Sequence, residues 1–424
     1  MKLTRLPLHW LILAGLAFGI VFGLIAVLAG WNEFTNQWIS PFGTIFIRLL
    51  KLIAIPLIIV SLINGVSGLN DISRLTRIGL RTIVLYLFTT VMAVSFGLVA
   101  VNLLQPGHYL SDEKSAEFRA KFAAEMIEKP ETQNGPLQFL VDIVPENIIQ
   151  SMSANTNMLQ VIFFSLLFGV AMVMLPNSRV TPVKQFIEAL NDIVMKIVDI
   201  IMMAAPFGVF ALIASITTQL AGDNIRDTLQ IFGTLGMYAL TVIIGLVFII
   251  LVFYPLLLKI FTQKGPFGFF KGIAPAQLLA FSTSSSAATL PVTMECCEQN
   301  LGIRKEISSF VLPLGATVNM DGTSLYQAVA AVFLAQIYGM DLTISQQLTI
   351  ILTATLASIG SAAVPGAGII MLVIVLNSVG VPTEGIALIF AVDRPLDMLR
   401  TVVNITGDCT VASIVSCQTK EIKP

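Results

Sequence analysis

The sequence predicts an all-α membrane protein with eight transmembrane helices and two re-entrant helical hairpins. Of the 424 residues, 56% are hydrophobic and only 12% are charged, whereas about 25% of the residues of an ordinary soluble domain are charged. Charge-poor runs long enough to cross a bilayer alternate with short polar connections. Two later charge-free runs have serine, glycine and proline at their centres, where a lipid-facing helix would leave backbone groups without hydrogen bonds.

The first six charge-poor runs predict six spans. Their approximate limits are residues 8–30, 41–69, 78–104, 157–175, 183–220 and 225–261. Connections rich in Lys and Arg alternate with connections that are not basic, and residues 106–149 hold four Lys or Arg against eight Asp or Glu. By the positive-inside rule, both termini are cytoplasmic and residues 106–149 form an external loop. No clear cleavage site follows the first run, so a helix is favoured over a signal peptide.

The chain after Lys271 departs from simple spans. Residues 272–294 are centred on STSSSAATLPV, and residues 342–383 are centred on SIGSAAVPGAG. Both predict re-entrant hairpins entered from opposite sides, since small polar residues and proline at mid-depth must line protein or water. Each hairpin precedes a span with polar groups, at residues 307–338 and 385–417. This inverted repeat indicates a transporter whose site lies where broken helices meet near the midplane.

The last span carries a stripe of polar side chains. Steps of four, three, four and four residues separate Asp393, Asp397, Arg400, Asn404 and Asp408. This spacing places all five on one helix face, and ionisable residues in a membrane are costly unless they face a partner, a cavity or a ligand. Arg400 would hold a carboxylate in a two-pronged grip that lysine cannot reproduce. An ion pair of Arg400 with Asp393 or Asp397 explains the residues equally well at this point.

The span at residues 307–338 contains the pentapeptide NMDGT. In it, Asn319 and Asp321 flank a methionine, and Gly322 relaxes the helix. An unwound backbone supplies carbonyl oxygens for a small, hard cation, and a carboxylate neutralises the cation's charge. From the residues alone, a buried turn is the favoured interpretation of the pentapeptide, and a cation site is the alternative.

Composition excludes other classes of protein. The formal net charge of −1 gives no indication of nucleic-acid binding. The four cysteines lack metal-ligand spacing, and two of them, Cys296 and Cys297, are adjacent, so we interpret them as small apolar side chains. A membrane-embedded hydrolase fails because neither His9 nor His108 is near a plausible nucleophilic serine. We therefore expect a protein that is not an enzyme.

Four motifs give a resemblance to a known family. They are SSSAATLPVT (284–293), PLGATVNMDGTSLYQ (313–327), ASIGSAAVPGAG (357–368) and LDMLRTVVNITGD (396–408). These motifs, with RLLKLIAIPLIIVSLINGVSGL at residues 48–69, resemble the glutamate transporter homologues of the dicarboxylate/amino acid:cation symporter family, which includes the excitatory amino acid transporters. The resemblance covers nearly the whole chain and is weakest in the external loop.

The resemblance implies an elevator-type architecture in a homotrimer. A trimerisation scaffold would comprise residues 1–76 and 150–222, which hold spans one, two, four and five. A mobile transport domain would comprise residues 77–105 and 223–424, which hold spans three and six, both hairpins and the last two spans. The hairpin tips would act as gates.

The resemblance also implies which residues contact the substrate. Those positions are Ser285, Ser286, Thr323, Gly368, Asp397, Arg400, Thr401 and Asn404. Arg400 would receive the distal carboxylate of an acidic amino acid, and Asp397 would receive its amino group. A C4-dicarboxylate without an amino group would leave Asp397 as a repelling charge, which favours aspartate or glutamate.

Three sodium sites are implied as well. One matches Gly315, Asn319, Asn404 and Asp408. A second, largely made of backbone oxygens, matches Thr317, Met320, Ser358, Ile359 and Ser361. A third matches Tyr86, Thr89, Thr90, Asn319 and Asp321.

One departure from the family pattern concerns an arginine. Archaeal members place it where Ser284 stands here, and eukaryotic members place it where Met398 stands. We hypothesise that Arg394, one turn before Met398, supplies the equivalent charge. Arg394 and Asp393 would then form a tuning pair, in which Arg394 orients Asp397 and compensates Asp393.

The sequence thus predicts a sodium-driven symporter of aspartate or glutamate in the cytoplasmic membrane. A proton-coupled glutamate symporter or a C4-dicarboxylate symporter of the same fold is the alternative within this class. A ligand-gated anion channel is the alternative from another class, because it would also use broken polar helices.

Overall fold

A computed structural model describes most of the chain. The described residues are 8–67, 76–110, 141, 143–153, 157–220, 225–262, 265–359, 361, 363 and 366–420. The regular elements formed by these residues are helices, which confirms the all-α prediction. Several predictions fall outside the described residues: both termini, most of the external loop, the domain boundary at 222/223 and part of the second hairpin tip.

The helices fall into an apolar first half and a more interrupted second half. The first half contains α1 Leu8–Leu28, α2 Asn32–Ser67, α3 Thr76–Leu104, α4 Ile148–Met152, α5 Met158–Met174, α6 Asn177–Met203, α7 Ala205–Leu220 and α8 Ile225–Phe248. The second half contains α9 Tyr254–Thr262, α10 Pro266–Thr283, α11 Ser286–Glu295, α12 Lys305–Val318, α13 Asp321–Ile337, α14 Ile344–Ile359, α15 Ala367–Val379 and α16 Ile386–Lys420.

Length and apolar composition mark some of these helices as membrane spans. Within the described residues, three qualify, at Asn32–Ser67, Gly79–Tyr109 and Gln230–Thr262. A fourth would be the pair α6 and α7, which meet at an angle of 50°. This bend divides the fifth run, which the sequence presents as one continuous segment. The protein is therefore a multi-pass membrane protein, while the total of eight spans stays a prediction.

Two helix breaks coincide with segments that the sequence singles out, the serine-rich centre of residues 272–294 and the pentapeptide NMDGT. Between α10 and α11, Ser284 adopts a left-handed backbone conformation with φ 51°, and the side chain of Ser285 accepts a hydrogen bond from the Ala288 amide at 3.2 Å. Such N-capping favours starting a new helix there. Between α12 and α13, Asn319 is extended with φ −99° and ψ 93°. Both helices of each predicted hairpin pack against each other, whereas their depth and side of entry stay predictions.

Helices α13 and α16 form the centre of the interrupted half. Every residue of α13 from Asp321 to Ala335 is buried. Helix α16 packs against α10, α12 and α13, so both the hairpin region and the NMDGT break lie along it. Elsewhere, α1 packs against α7, and α2 packs against α5, α6 and α7. The two sets of packed helices are compatible with the predicted scaffold and transport domains, a division that stays a prediction.

Candidate substrate and cation site

The stripe of polar side chains predicted in the last span lies on α16 and is buried. The helix continues through Pro395 without a break. Each stripe residue is at most 6% exposed: Asp393, Asp397, Arg400, Asn404 and Asp408. Since isolated buried charge is costly, the contacts of each group decide what the stripe does.

Arg400 is fully buried and sits between two carboxylates. Its Nη2 donates to Asp397 Oδ1 at 2.7 Å and to Asp393 Oδ1 at 3.1 Å. The guanidinium carbon lies 3.9 Å from the centre of the Tyr326 ring, a cation–π contact. The ion pair weighed from the sequence is thus present. Within the described residues, Arg400 Nε and Nη1 have no hydrogen-bond partner, which leaves donors for a further carboxylate.

Arg394 supplies a second positive charge to Asp397. Its Nη1 donates to Asp397 Oδ2 at 3.1 Å, and the Gly366 amide donates to the same oxygen at 3.2 Å. This geometry agrees with the proposed orienting contact to Asp397. Asp393 forms its ion pair with Arg400, at 3.1 Å. The four charged residues, named the arginine cluster hereafter, are Asp393, Arg394, Asp397 and Arg400.

A polar cavity lies beside the arginine cluster. It is lined by Ser284, Ser286, Met320, Thr323, Ser361, Ala363, Gly368, Asp397, Thr401 and Asn404. Six of the eight predicted substrate positions are among these residues, and Ser285 and Arg400 are the other two. Position 368 requires glycine, because a Cβ atom there would lie 2.8 Å from Arg400 Nη1. The cavity and that unpaired nitrogen are therefore neighbours.

Asn404 ties α16 to the start of α13. Its Oδ1 accepts from the Gly322 amide at 2.8 Å, and its Nδ2 donates to Thr323 Oγ1 at 3.2 Å. The Thr401 hydroxyl donates to the Asp397 carbonyl of its own helix at 2.8 Å. The hydroxyl oxygens of Thr323 and Thr401 still have acceptor capacity toward the cavity.

The hairpin tips meet at the other side of the cavity. Ser285 Oγ donates to the Ala363 carbonyl at 2.7 Å, and the Ala287 amide approaches the same oxygen at 3.4 Å. In the described part of the chain, the buried hydroxyls of Ser284 and Ser361 have no hydrogen-bond partner. Ser285 thus links the two tips, while the other two serines offer free hydroxyls beside it.

A second polar cluster surrounds the break between α12 and α13. Asp321 Oδ1 accepts from Thr90 Oγ1 at 2.8 Å and from Thr89 Oγ1 at 3.4 Å. Thr89 Oγ1 also lies 3.2 Å from Asn319 Oδ1, and Asn319 Nδ2 donates to Asp408 Oδ1 at 2.9 Å. The carboxylate cluster, as we name it, consists of Asn319, Asp321 and Asp408.

Among the described residues, the carboxylate cluster has no basic partner. Asp321 is 0% exposed and Asp408 is 2% exposed, and among the described residues neither forms an ion pair with Lys or Arg. Because buried carboxylates are costly unless compensated, this region calls for a cation or protons. Gly315 permits close approach there, since a Cβ atom would collide with Asp408 Oδ1 and Tyr86 Oη.

The remaining predicted sodium ligands differ in burial. Ser358 is buried and its Oγ donates to the Thr355 carbonyl at 2.8 Å. The Thr317 side chain points elsewhere: this residue is exposed, and its hydroxyl donates to the Leu314 carbonyl at 2.9 Å. Any contribution of Thr317 to ion binding would therefore come from its backbone. Tyr86 Oη donates to the Val311 carbonyl at 2.9 Å.

Neither cluster resembles a transition-metal site. In the described part of the chain, no group of three or more His, Cys, Asp or Glu side chains could hold a metal ion. The oxygen atoms around Asn319 and Asp321 are hydroxyl, amide and carboxylate oxygens, which are the donors that hard cations prefer. This donor set fits an alkali cation better than zinc or copper.

Three residues at the site were not identified from the sequence. Tyr254 Oη donates to Asp321 Oδ2 at 2.7 Å, Tyr326 lies under Arg400, and Gln327 Nε2 donates to the Gly368 carbonyl at 3.2 Å. A phenol in a largely apolar span needs a polar partner when buried, but the same span also contains Tyr238, so this signal does not single out Tyr254. Its partner could not be identified without the fold.

Comparisons with known proteins give one consistent result. A family model described as the Sodium:dicarboxylate symporter family matches residues 8–417. The Excitatory amino acid transporter 3 of Mus musculus is 39% identical, over 97% of this chain and 86% of the relative. The Proton/sodium-glutamate symport proteins of Bacillus subtilis and Geobacillus stearothermophilus are 36% and 37% identical. Those matches cover 98% of this chain and 94% and 95% of the relatives.

Proposed function

The chain belongs to the sodium:dicarboxylate symporter family, and we propose that it is a secondary active symporter that takes up aspartate or glutamate with sodium. The observation that carries this proposal is the contrast between two buried clusters, of which the arginine cluster contributes Asp397 to the cavity. The arginine cluster holds paired charges with spare donors, and the carboxylate cluster holds negative charge without a Lys or Arg partner in the part of the chain that the structure describes. The first suits a charged amino acid, and the second suits a cation.

Substrate recognition would use both ends of the arginine cluster. The distal carboxylate of the amino acid binds the unpaired nitrogens of Arg400, which lie beside Gly368. The ammonium group binds Asp397, which lines the cavity. Ser286, Thr323, Thr401 and Asn404 supply polar groups around the remaining carboxylate. A neutral amino acid would leave the guanidinium donors unmet, which lowers its affinity.

Sodium would compensate the carboxylate cluster. Asp321 with Thr89 and Thr90 forms one proposed site, and Asp408 with Asn319 forms another. The backbone around Met320 and Ser358 forms the third. Asn404 joins the α16 stripe to Gly322, next to Asp321. Sodium binding would thus fix the same backbone segment that carries Thr323, a substrate residue, and this physical link supports coupling of the ion to the amino acid.

We further propose the elevator arrangement in a homotrimer of the cytoplasmic membrane. Helices α10 and α11, and α14 and α15, would be the two re-entrant hairpins with gating tips. Residues 1–76 and 150–222 would form the scaffold, and residues 77–105 and 223–424 the moving domain. The four-motif resemblance supports this division, as does the packing of α1 against α7 and of α2 against α5, α6 and α7.

Proton coupling is the second candidate, since the buried carboxylates Asp321 and Asp408 would accept protons in place of sodium. The name of the Bacillus subtilis relative includes both ions. An inward gradient of each ion, applied separately, distinguishes the two candidates.

The test is uptake of labelled aspartate by purified protein in proteoliposomes. Accumulation above equilibrium with an inward sodium gradient, and none with an inward proton gradient, is the expected result. Accumulation driven by protons without sodium would replace the sodium proposal with the proton one. Downhill flux alone would contradict a symporter and favour a channel. Unlabelled glutamate, succinate and alanine as competitors give the substrate class, and only the acidic amino acids are expected to compete strongly.

A further inference from the structure

The helix that runs from α8 into α9 contains a π-turn. The residue after this turn is not among the predicted sodium ligands, but it contacts one of them. Helix α8 ends at Phe248, and Ile249–Phe253 form a π-turn before α9 begins at Tyr254. A π-turn adds one residue to a helical turn, so it rotates the following side chains by about 100° relative to an unbroken α-helix. Such turns are frequent at functional sites. This one immediately precedes Tyr254.

Tyr254 is fully buried and directs its hydroxyl at Asp321. The phenol donates to Asp321 Oδ2 at 2.7 Å, while the Val403 carbonyl lies farther away, at 3.3 Å. The two threonine hydroxyls approach the other carboxylate oxygen, Oδ1. The carboxylate is therefore held from both sides, with one oxygen facing Thr89 and Thr90 and the other fixed by Tyr254.

A glycine on α16 leaves room for this contact. A Cβ atom at Gly407 would lie 2.6 Å from Tyr254 Oη, 2.7 Å from Asn319 Nδ2 and 3.2 Å from Asp321 Oδ2. Three elements thus converge at one point: the start of α9, the break between α12 and α13, and α16. Tyr254, Asn319 and Asp321 can approach α16 this closely only because residue 407 is glycine.

We propose that Tyr254 is a positioning residue for sodium, which holds Asp321 so that Oδ1, the Thr89 and Thr90 hydroxyls and the Asn319 amide oxygen face one ion. This inference rests on the proposed sodium-coupled function. A carboxylate without the phenol would rotate about its terminal torsion, which is soft, and would leave Oδ2 buried without a donor. Tyr254 does not touch the substrate cavity in the described structure, so its loss acts on the sodium dependence and not on the substrate contacts.

The experiment compares Tyr254→Phe with Tyr238→Phe. Both residues are fully buried tyrosines of the same helical segment, but Tyr238 stacks on Phe333 with ring centres 4.5 Å apart. Sodium is titrated in aspartate uptake and in thermal unfolding of the detergent-solubilised protein. We expect Tyr254→Phe to raise the half-saturating sodium concentration about tenfold, as loss of a hydrogen bond to a charged group implies. The KM for aspartate at saturating sodium stays within about twofold, and Tyr238→Phe resembles the wild type.

A double variant separates positioning from simple loss of packing. If Tyr254 acts through Asp321, adding Tyr254→Phe to Asp321→Asn has no further effect on the sodium titration of unfolding, whereas an independent packing effect adds to it. An unchanged sodium titration in Tyr254→Phe, or an additive effect in the double variant, contradicts the inference while leaving the symporter in place. Absence of any sodium dependence in the wild type overturns both.

Discussion

The arginine cluster and the carboxylate cluster share α16 but compensate their charge differently. In the arginine cluster, two arginines and two aspartates pair within the protein. In the carboxylate cluster, Asp321 and Asp408 are held by hydroxyl and amide groups, with no Lys or Arg partner among the described residues. Arg400 and Asp408 are eight residues apart, which is about 12 Å along a helix. One helix therefore carries a neutral set of charges next to a negative one.

This difference explains why one site would bind an amino acid and the other a cation. An acidic amino acid carries an ammonium group as well as carboxylates, so its site needs both negative and positive side chains. The arginine cluster supplies both, and its own charges are already balanced. A small cation needs negative charge and oxygen donors without competing ammonium or guanidinium groups. If this division of labour is right, substitutions in the two clusters will change different measured quantities.

The largest effect is expected for Arg400→Ala. The change removes the proposed carboxylate contact and leaves Asp393 and Asp397 without their shared partner, at a cost of about 3–5 kcal/mol. Aspartate affinity at saturating sodium should fall at least about 100-fold, as measured by competition binding. Arg48→Ala, which removes an exposed arginine of α2, serves as the control. Affinity within threefold of the wild type would remove Arg400 from the substrate site.

The next largest effect is expected for Asp321→Asn. Loss of the buried negative charge should raise the half-saturating sodium concentration about 30- to 100-fold, since a charged ligand contact is removed. The aspartate KM extrapolated to saturating sodium should change little. Asp199→Asn, at an exposed aspartate of α6, gives the matched control. Equal losses of aspartate and sodium affinity would show that the two clusters are not separate in function.

A smaller effect is expected for Arg394→Ala. The variant loses a hydrogen bond to Asp397 but keeps the contacts of Arg400, so aspartate affinity should fall about tenfold. The sodium titration should keep its midpoint. Arg394→Lys, which keeps the charge, should recover part of the loss. Unchanged uptake in Arg394→Ala would contradict the hypothesis that Arg394 replaces the arginine found at positions 284 or 398 in other family members.

The smallest effect is expected outside both clusters, for Lys51→Met. Lys51 of α2 pairs with Glu384 in the turn Thr383–Gly385 that precedes α16, and both side chains are about a quarter exposed. Solvent screens a partly exposed pair, so the maximal uptake rate should change by less than about fivefold, and aspartate and sodium affinities should be unchanged. Lys196→Met tests an exposed lysine pair within one helix. A loss as large as that of Arg394→Ala would mean that charge outside the clusters also determines binding.

Local sequence patterns predicted the helices and the positions of the breaks. The six early runs correspond to α1, α2, α3, α5, the pair α6 and α7, and the segment from α8 to α9, because a charge-free run in a membrane has few alternatives to a helix. Helices α2 and α6 begin nine and six residues before their predicted runs. Serine, glycine and proline marked the breaks near Ser284 and Gly366, because these residues weaken continuous helices or favour unusual backbone angles. The family resemblance drawn from four motifs is confirmed by the match over residues 8–417.

Contacts between distant segments were beyond the sequence patterns. Proline marks the bend between α6 and α7, at Pro206, and the π-turn before Tyr254, which Pro255 follows, but the side-chain contacts that result are not readable from the sequence. The partner of Tyr254, Asp321, lies 67 residues away. Spacing alone placed Asp393, Asp397 and Arg400 on one face, but it could not decide that Arg400 contacts both aspartates while Arg394 contacts one. Such choices depend on side-chain rotamers and on Tyr326, which comes from another helix.

The most direct test of this division of labour is the aspartate affinity of the purified protein measured over a range of sodium concentrations. The wild type and Arg394→Ala should give parallel lines in a plot of log Kd against log sodium concentration, with the variant shifted to weaker binding. Asp321→Asn should give a shallower line, because one sodium site is lost. A wild-type affinity independent of sodium, or an Asp321→Asn line parallel to that of the wild type, would contradict the assignment of the carboxylate cluster to sodium.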